Sequence, residues 1–396
     1  MATIVDSSVA RFRRRLHATP ELAERETHTA SAVCERLAAC APSALLRGLG
    51  AMGTGVCAVF DGKQPGPTIL LRAELDALPI QEANDFAHRS SVKGVSHKCG
   101  HDGHMATLIA VAEQLAAEPI QRGSVYLLFQ PAEETGTGAL AVLADARFQA
   151  LPPPDLVFGC HNIPKFPFGQ VIVRAGLFAQ ASSGFRIALT GTTSHASYPE
   201  HGLNPSAALT RIVDAVNCID KTLADEVEAP VLGTVTYAQL GAHNAGMNFG
   251  TTPGQALVTG VLRAHTTGDL DRLCDRLTRM ATESAAEDGL GRNISWHERF
   301  AATNSCAAGV ELIQRAAGES GLDVHHLDQP FRWSEDFGYF TDRYRGAFFG
   351  LGAGLDQPQL HDEAYDFPDA LIDVGARLYR AMIDLHLAPA AASAER

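Results

Sequence analysis

Residues 67–76, PTILLRAELD, and 123–130, GSVYLLFQ, are short apolar runs of the kind that forms strands buried on both faces. Between them, residues 104–118, HMATLIAVAEQLAAE, place Met105, Leu108, Ile109, Ala112, Leu115 and Ala116 on one helical face. DLVFGC (155–160) reads as a third strand and GAFFGLG (346–352) as a fourth, far downstream. Strands alternating with helices predict an α/β fold with a mainly parallel sheet.

The middle of the chain has another rhythm. GFRIALT (184–190) alternates Phe185, Ile187 and Leu189, the period of a half-exposed strand. A helix is expected from about Pro205 to Leu223, and strands near 231–240 and 255–265. The helix DLDRLCDRLTRMATESAAE (269–287) and a strand at RNISWHERF (292–300) complete the series. That order, βαββαβ, is ferredoxin-like. Residues 182–297 are therefore expected to form a domain inserted into a first domain made of 1–181 and 298–396.

A chain of 396 residues suits two domains. With 46% hydrophobic and 19% charged residues, it has ample material for a soluble core. A net charge of −13 argues against nucleic-acid and anionic-membrane partners, which need basic patches, but not against an acidic small molecule. The eight cysteines, at 34, 40, 57, 99, 160, 218, 274 and 306, are spaced too irregularly for a secreted disulfide scaffold. The N-terminal MATIVDSSVARFRRRLHATPEL has no apolar signal-peptide core, and Asp6, Glu21, Glu24 and Glu26 favour an acid-bearing helix over a transit peptide. No apolar run approaches the ~18 residues of a membrane span. A cytoplasmic location is expected.

Chemistry concentrates at HKCGHDGHM (97–105), where Cys99, His101, Asp102 and His104 fall within six residues. Neither a paired zinc-finger motif nor HExxH accompanies them, so further metal ligands must come from afar. Candidates stand near strand ends: Glu133 and Glu134 in LLFQPAEETGTG, His161 in VFGCHN, and His361 in LGAGLDQPQLHDEAYDF. Sites in open α/β sheets form at such ends. One of two adjacent carboxylates can ligate a metal while the other takes a proton from water. Each residue alone has a plainer reading. An acidic pair is usually solvated, a lone cysteine is usually a core thiol, and a lone histidine is usually structural. Their joint placement favours the site.

The motifs RAELDALPI, KCGHDGH, FQPAEETGTGA, GCHN, SHASYPEHG, SEDFGYF, AFFGLG and LHDEAYDF resemble those of the dinuclear-metal amidohydrolases of the aminoacylase/carboxypeptidase clan. Within it, the chain is most similar to hippurate hydrolases, bacterial N-acyl-amino-acid amidohydrolases and plant auxin–amino acid conjugate hydrolases. The likeness runs from RRRLHATPEL to YDFPDALIDVGARLY. It implies a two-metal catalytic domain, with the inserted domain serving as lid and homodimerisation element.

The resemblance also implies five metal ligands: Cys99, His101, Glu134, His161 and His361. Cys99 would be a thiolate shared by two divalent ions. Glu133 would be the general acid/base, and His195 of SHAS would steady the oxyanion in the neighbouring subunit. Asn248 and Arg263 match positions that hold the substrate carboxylate. Thiol and imidazole ligands favour zinc, with manganese, cobalt or nickel as alternatives. Two divalent ions would leave the site locally positive, favouring an anionic small-molecule substrate. Asp102 and His104 are then expected to support the ligands, as is Asp76 unless it serves a cap or turn. His97 is expected on a loop surface.

The chain departs from the family's pattern in several places. Glu74 replaces the usual aspartate, GMNFGTTPG (246–254) replaces an Asn-x-Ile-Pro segment, GTTSHAS has threonines in a glycine-rich approach, and Cys160 adjoins a ligand. These bear on substrate choice. The expected reaction is hydrolysis of N-acyl amino acids or related small amides. A dipeptidase or an aminohydrolase of another C–N bond is the alternative, and a non-catalytic binding protein the remote one.

Overall fold

The computed structural model describes residues 7–222, 227, 230–241 and 248–389. These divide into two compact units. One comprises the chain up to Phe178, Thr303–Pro330 and the part from Asp336 onward; the other comprises Ala179–Ala302 and Phe331–Glu335.

The first unit holds an eight-stranded mixed sheet. Its order is Ala44–Leu49, Gly55–Asp61, Arg122–Gln130, Gln64–Glu74, Leu156–Pro164, Gly346–Gly354, Val171–Val173 and Val324–His326. The four central strands, Arg122–Gln130 to Gly346–Gly354, run parallel and are buried on both faces over most of their length. They are the four apolar runs read in the sequence. Gly55–Asp61 adds antiparallel on one side and Val171–Val173 on the other.

Residues His101–Ala117 form the helix after the central strand Gln64–Glu74 and pack on Ser8–Ala18 and Ala370–Leu387. Met105, Leu108, Ile109, Ala112 and Leu115 are buried as expected, whereas Ala116, in the last turn, is exposed. Truncating a fully buried residue such as Phe129 or Phe158 to alanine should cost about 3–5 kcal/mol.

The second unit is a βαββαβ fold. Ala181–Thr190, Leu232–Leu240, Gln255–Ala264 and Gly291–Phe300 form an antiparallel sheet with Ala181–Thr190 and Gln255–Ala264 central. The expected helix to Leu223 appears as Ser206–Asn217 followed by Ile219–Thr222, and Leu223 lies outside the described residues. Gly246 and Met247 of GMNFGTTPG, Asp6, and most of the alanine-rich tail also lie outside them. No helix among the described residues is long and apolar enough to cross a membrane.

Candidate metal centre

The turn after Gln64–Glu74 places Asp76, fully buried, beneath the cluster. Its backbone carbonyl accepts the Nδ1 hydrogen of His101 at 2.9 Å, and its Oδ2 accepts the Glu134 N–H at 2.9 Å. One aspartate thus orients an imidazole and fixes the backbone of a carboxylate, the arrangement that gives metal ligands their aim.

Gly100 precedes the helix at φ +95°, and a Cβ there would lie 2.5 Å from the Asn162 Oδ1. Gly103 abuts the Phe367 ring so closely that a Cβ would overlap it. The glycines of CGHDGH therefore let the ligand-bearing turn pack against two other segments. In PAEE, Pro131 ends the strand and Ala132 adopts φ +49°. The Ala132 N–H donates to Oε1 of buried Glu26 at 2.8 Å, anchoring the turn that presents Glu133 and Glu134. Burial, with Asp76 nearby, raises the Glu26 carboxyl.

The structure draws Cys99, His101, Glu133, Glu134, His161 and His361 together. Their donor atoms form overlapping groups with all atoms inside 4.8 Å: Cys99, His101 and His161; Cys99, Glu134 and His361; His101, Glu133 and Glu134. Cys99 Sγ lies 3.3 Å from His161 Nε2. The His101 Nε2 lies 3.9 Å from Glu133 Oε2 and 3.9 Å from Glu134 Oε1, and His361 Nε2 is 3.9 Å from the same Glu134 oxygen. His161 lies inside the strand Leu156–Pro164, near its carboxyl end. Its Nδ1 donates to the Asn162 carbonyl at 2.9 Å, which leaves Nε2 to face Cys99. His361 sits at φ +67° on the loop after Gly346–Gly354. The Asp336 N–H approaches Glu133 Oε1 at 3.4 Å.

These donors fit divalent cations. The His101 Nε2 is buried with no hydrogen-bond partner among the described residues and faces two carboxylates. Burial opposes a charge on His101, but the Asp76 hydrogen bond and the carboxylates of Glu74, Asp76 and Glu134 outweigh it and push its pKa to about 10. The pocket thus attracts positive charge. Thiol, imidazole and carboxylate are the donor set of zinc and related metals.

The supporting residues are more elaborate than their spacing suggests. Asp102 turns away from the cluster to Arg13 Nε at 2.7 Å and His17 Nδ1 at 2.8 Å, all three fully buried. His104 pairs with Glu74 at 2.6 Å and reaches the Asn162 Oδ1. Glu74 also pairs with Arg72, which pairs in turn with Asp336. His97, expected on a loop surface, is fully buried against His17, and burial lowers its pKa to about 3. Cys160 falls in none of the donor groups; burial drives its thiol well up.

The remaining candidates belong to the second unit. His195 is exposed on a two-stranded ribbon, Ser194–His195 against Thr251–Thr252. Asn248 is exposed at the approach to that ribbon, its Oδ1 accepting the Gly250 N–H. Arg263, on the central strand Gln255–Ala264, donates from Nη1 to the Arg332 carbonyl at 2.8 Å and Ser334 Oγ at 2.9 Å.

Thiol, imidazole and carboxylate donors at strand ends, with a further carboxylate beside them, define a metal-dependent hydrolase. The chain belongs to the peptidase family M20/M25/M40, whose model matches residues 70–385. It is 30% identical over 376 residues to an N-acetyl-L-cysteine deacetylase of Bacillus subtilis (strain 168), covering 93% of this chain and 86% of that protein. It is 29% identical over 378 residues to the hippurate hydrolase of Campylobacter jejuni, covering 93% and 94%. A solved Bacillus subtilis structure, described as a dinuclear metal binding peptidase from the M20 family, matches with a TM-score of 0.77 and 26% identity over 96% of this chain and 97% of that one.

Proposed function

We propose that the enzyme hydrolyses the amide bond of N-acyl amino acids or related small carboxylate-bearing amides, releasing a carboxylic acid and a free amino acid. The observation that carries this reading is Cys99, whose sulfur belongs to two donor groups at once, with the Glu133 carboxylate alongside. The similar deacetylase and hippurate hydrolase support the substrate class.

One divalent ion would be held by Cys99, His101 and His161, the other by Cys99, Glu134 and His361. When bound, such ions supply Lewis acidity that makes water nucleophilic near neutral pH. Zinc suits the donors best, with manganese, cobalt or nickel as alternatives. Glu133 takes the proton of the attacking water and returns it to the leaving amine. The Asp336 N–H beside Oε1 helps hold that carboxylate in place. Asp76 keeps His101 and Glu134 aimed.

From the second unit, acting as a lid, His195 would steady the oxyanion and Asn248 and Arg263 would hold the substrate carboxylate. The edge strand Leu232–Leu240 exposes Leu232, Tyr237 and Leu240, which supports homodimerisation through this unit. Eight free thiols support a cytoplasmic location. Because the Arg263 Nη1 already donates to Arg332 and Ser334, a dipeptidase or an aminohydrolase of another C–N bond is the second reading.

A hydrolysis panel of metal-reconstituted protein tests the choice, with hippurate, N-acetyl amino acids, indole-3-acetyl conjugates and dipeptides as substrates. Turnover of the N-acyl amino acids is expected to dominate. Turnover confined to dipeptides would move the assignment to the second reading.

A further inference from the structure

Lys98, immediately before Cys99, has a fully buried side chain. A buried ammonium group is costly unless it is well partnered. Its Nζ donates to Glu82 Oε1 at 2.6 Å and to the Tyr365 backbone carbonyl at 2.8 Å. The backbone carbonyl of Lys98 accepts the His361 N–H at 2.9 Å. Lys98 therefore grips the loop 361–365 at both ends while joined covalently to Cys99. His361 needs such a grip, because a non-glycine residue at φ +67° persists only where its surroundings hold it.

Glu82 is anchored in turn. It accepts from His17 Nε2 at 3.0 Å, the Asn84 side-chain amide at 3.1 Å and the Ser90 N–H at 2.5 Å. Burial raises its carboxyl, but the hydrogen bonds from His17 and Lys98 outweigh this and hold it well below the usual range. His17 continues to Asp102, and Asp102 to Arg13. Residues 99–101 thus lie between two buried ion pairs, Lys98–Glu82 before them and Asp102–Arg13 after them.

The two donor groups sharing Cys99 have different supports. In one, the carbonyls of Asp76 and Asn162 orient His101 and His161. In the other, Asp76 holds the Glu134 backbone and Lys98 holds that of His361. We propose that Lys98 is a positioning residue that sets the separation of Cys99 and His361, and so tunes the Cys99–Glu134–His361 cation site independently of the Cys99–His101–His161 site. The proposal rests on the two-ion reading given above.

Titration of the metal-free full-length protein with Co(II), followed by thiolate charge-transfer and d–d absorption, counts the ions and separates their affinities. The parent protein should take two equivalents. Lys98→Met, which keeps the stem and removes the donors, should bind one equivalent normally, with the thiolate band intact. The other should bind at least about tenfold more weakly, as for lost ligand support elsewhere. Lys98→Arg should recover part of that loss.

Lys98→Met leaves Glu82 buried with one partner fewer, so the double variant Glu82→Gln/Lys98→Met guards against misfolding and should show the same one-sided loss. Melting of the metal-free proteins reads fold stability separately. Equal affinity for both ions in the variants, or equal weakening of both, overturns the role of Lys98. A parent protein taking fewer than two equivalents overturns the two-ion reading itself.

Discussion

Cys99 Sγ and His161 Nε2 face each other at 3.3 Å, and the same sulfur also lies within 4.8 Å of donor atoms of Glu134 and His361. A sulfur in that position can serve two cations, and a serine hydroxyl is a poorer ligand for both. Cys99→Ser is expected to lose at least one ion per chain by elemental analysis. Two ions retained tightly would remove Cys99 from the shared position.

Arg263 keeps its guanidinium against Arg332 and Ser334, and burial lowers its pKa from the usual arginine value. If it holds the substrate carboxylate, Arg263→Ala should raise KM about 10–100-fold for carboxylate-bearing substrates, with a smaller change in kcat. Steady-state kinetics on matched acids and neutral amides separate the cases. An equal loss on both substrate types would sink the anchor.

His17 is a pH-sensitive strut for the fold. Burial lowers its pKa, but the charge of Asp102 and the hydrogen bonds His17 donates to Asp102 and Glu82 outweigh burial and the opposing Arg13, raising it above 6.5. Phe86, His88 and His97 pack around the ring. A raised folded-state pKa means the stabilisation is complete below about pH 6.5, the unfolded value, and fades as pH rises through the folded one. Urea unfolding of His17→Gln across that window should lack this decline. A variant whose stability falls as steeply as the parent's would contradict it.

The four central strands were legible because each is a dense apolar run bounded by turn residues, and doubly buried strands must look that way. The edge strands Ala44–Leu49 and Val324–His326, and the three-residue strand Val171–Val173 inside them, carry no comparable signature, being short or partly exposed. The six donors clustered by the structure were also legible, because histidine, cysteine and paired carboxylates near strand ends have few other reasons to recur.

What could not be read was the support. Arg13 meets Asp102 and Asp366, and Lys98 meets Glu82 and Tyr365, across separations that leave no local periodicity. A basic run such as RRR looks solvated until a distant acid is folded onto it. The burial of His97 is hidden for the same reason: nothing in HKCGH reveals that its ring packs near that of His17. Glu26 could have been suspected, since an acid preceding a helix often satisfies a nearby N–H. Its partner at Ala132 is a tertiary contact.

Glu133 bears the central chemical claim, that a carboxylate beside the metal ligands moves the proton. Glu133→Gln keeps the shape of the side chain and removes its basicity. The decisive measurement is turnover of an N-acyl amino acid by this variant, loaded with metal and checked for ion content. The expected result is two ions retained and turnover lowered by at least about 10²–10⁴-fold, the range for a general base. Parent-like turnover with both ions bound would contradict the role of Glu133.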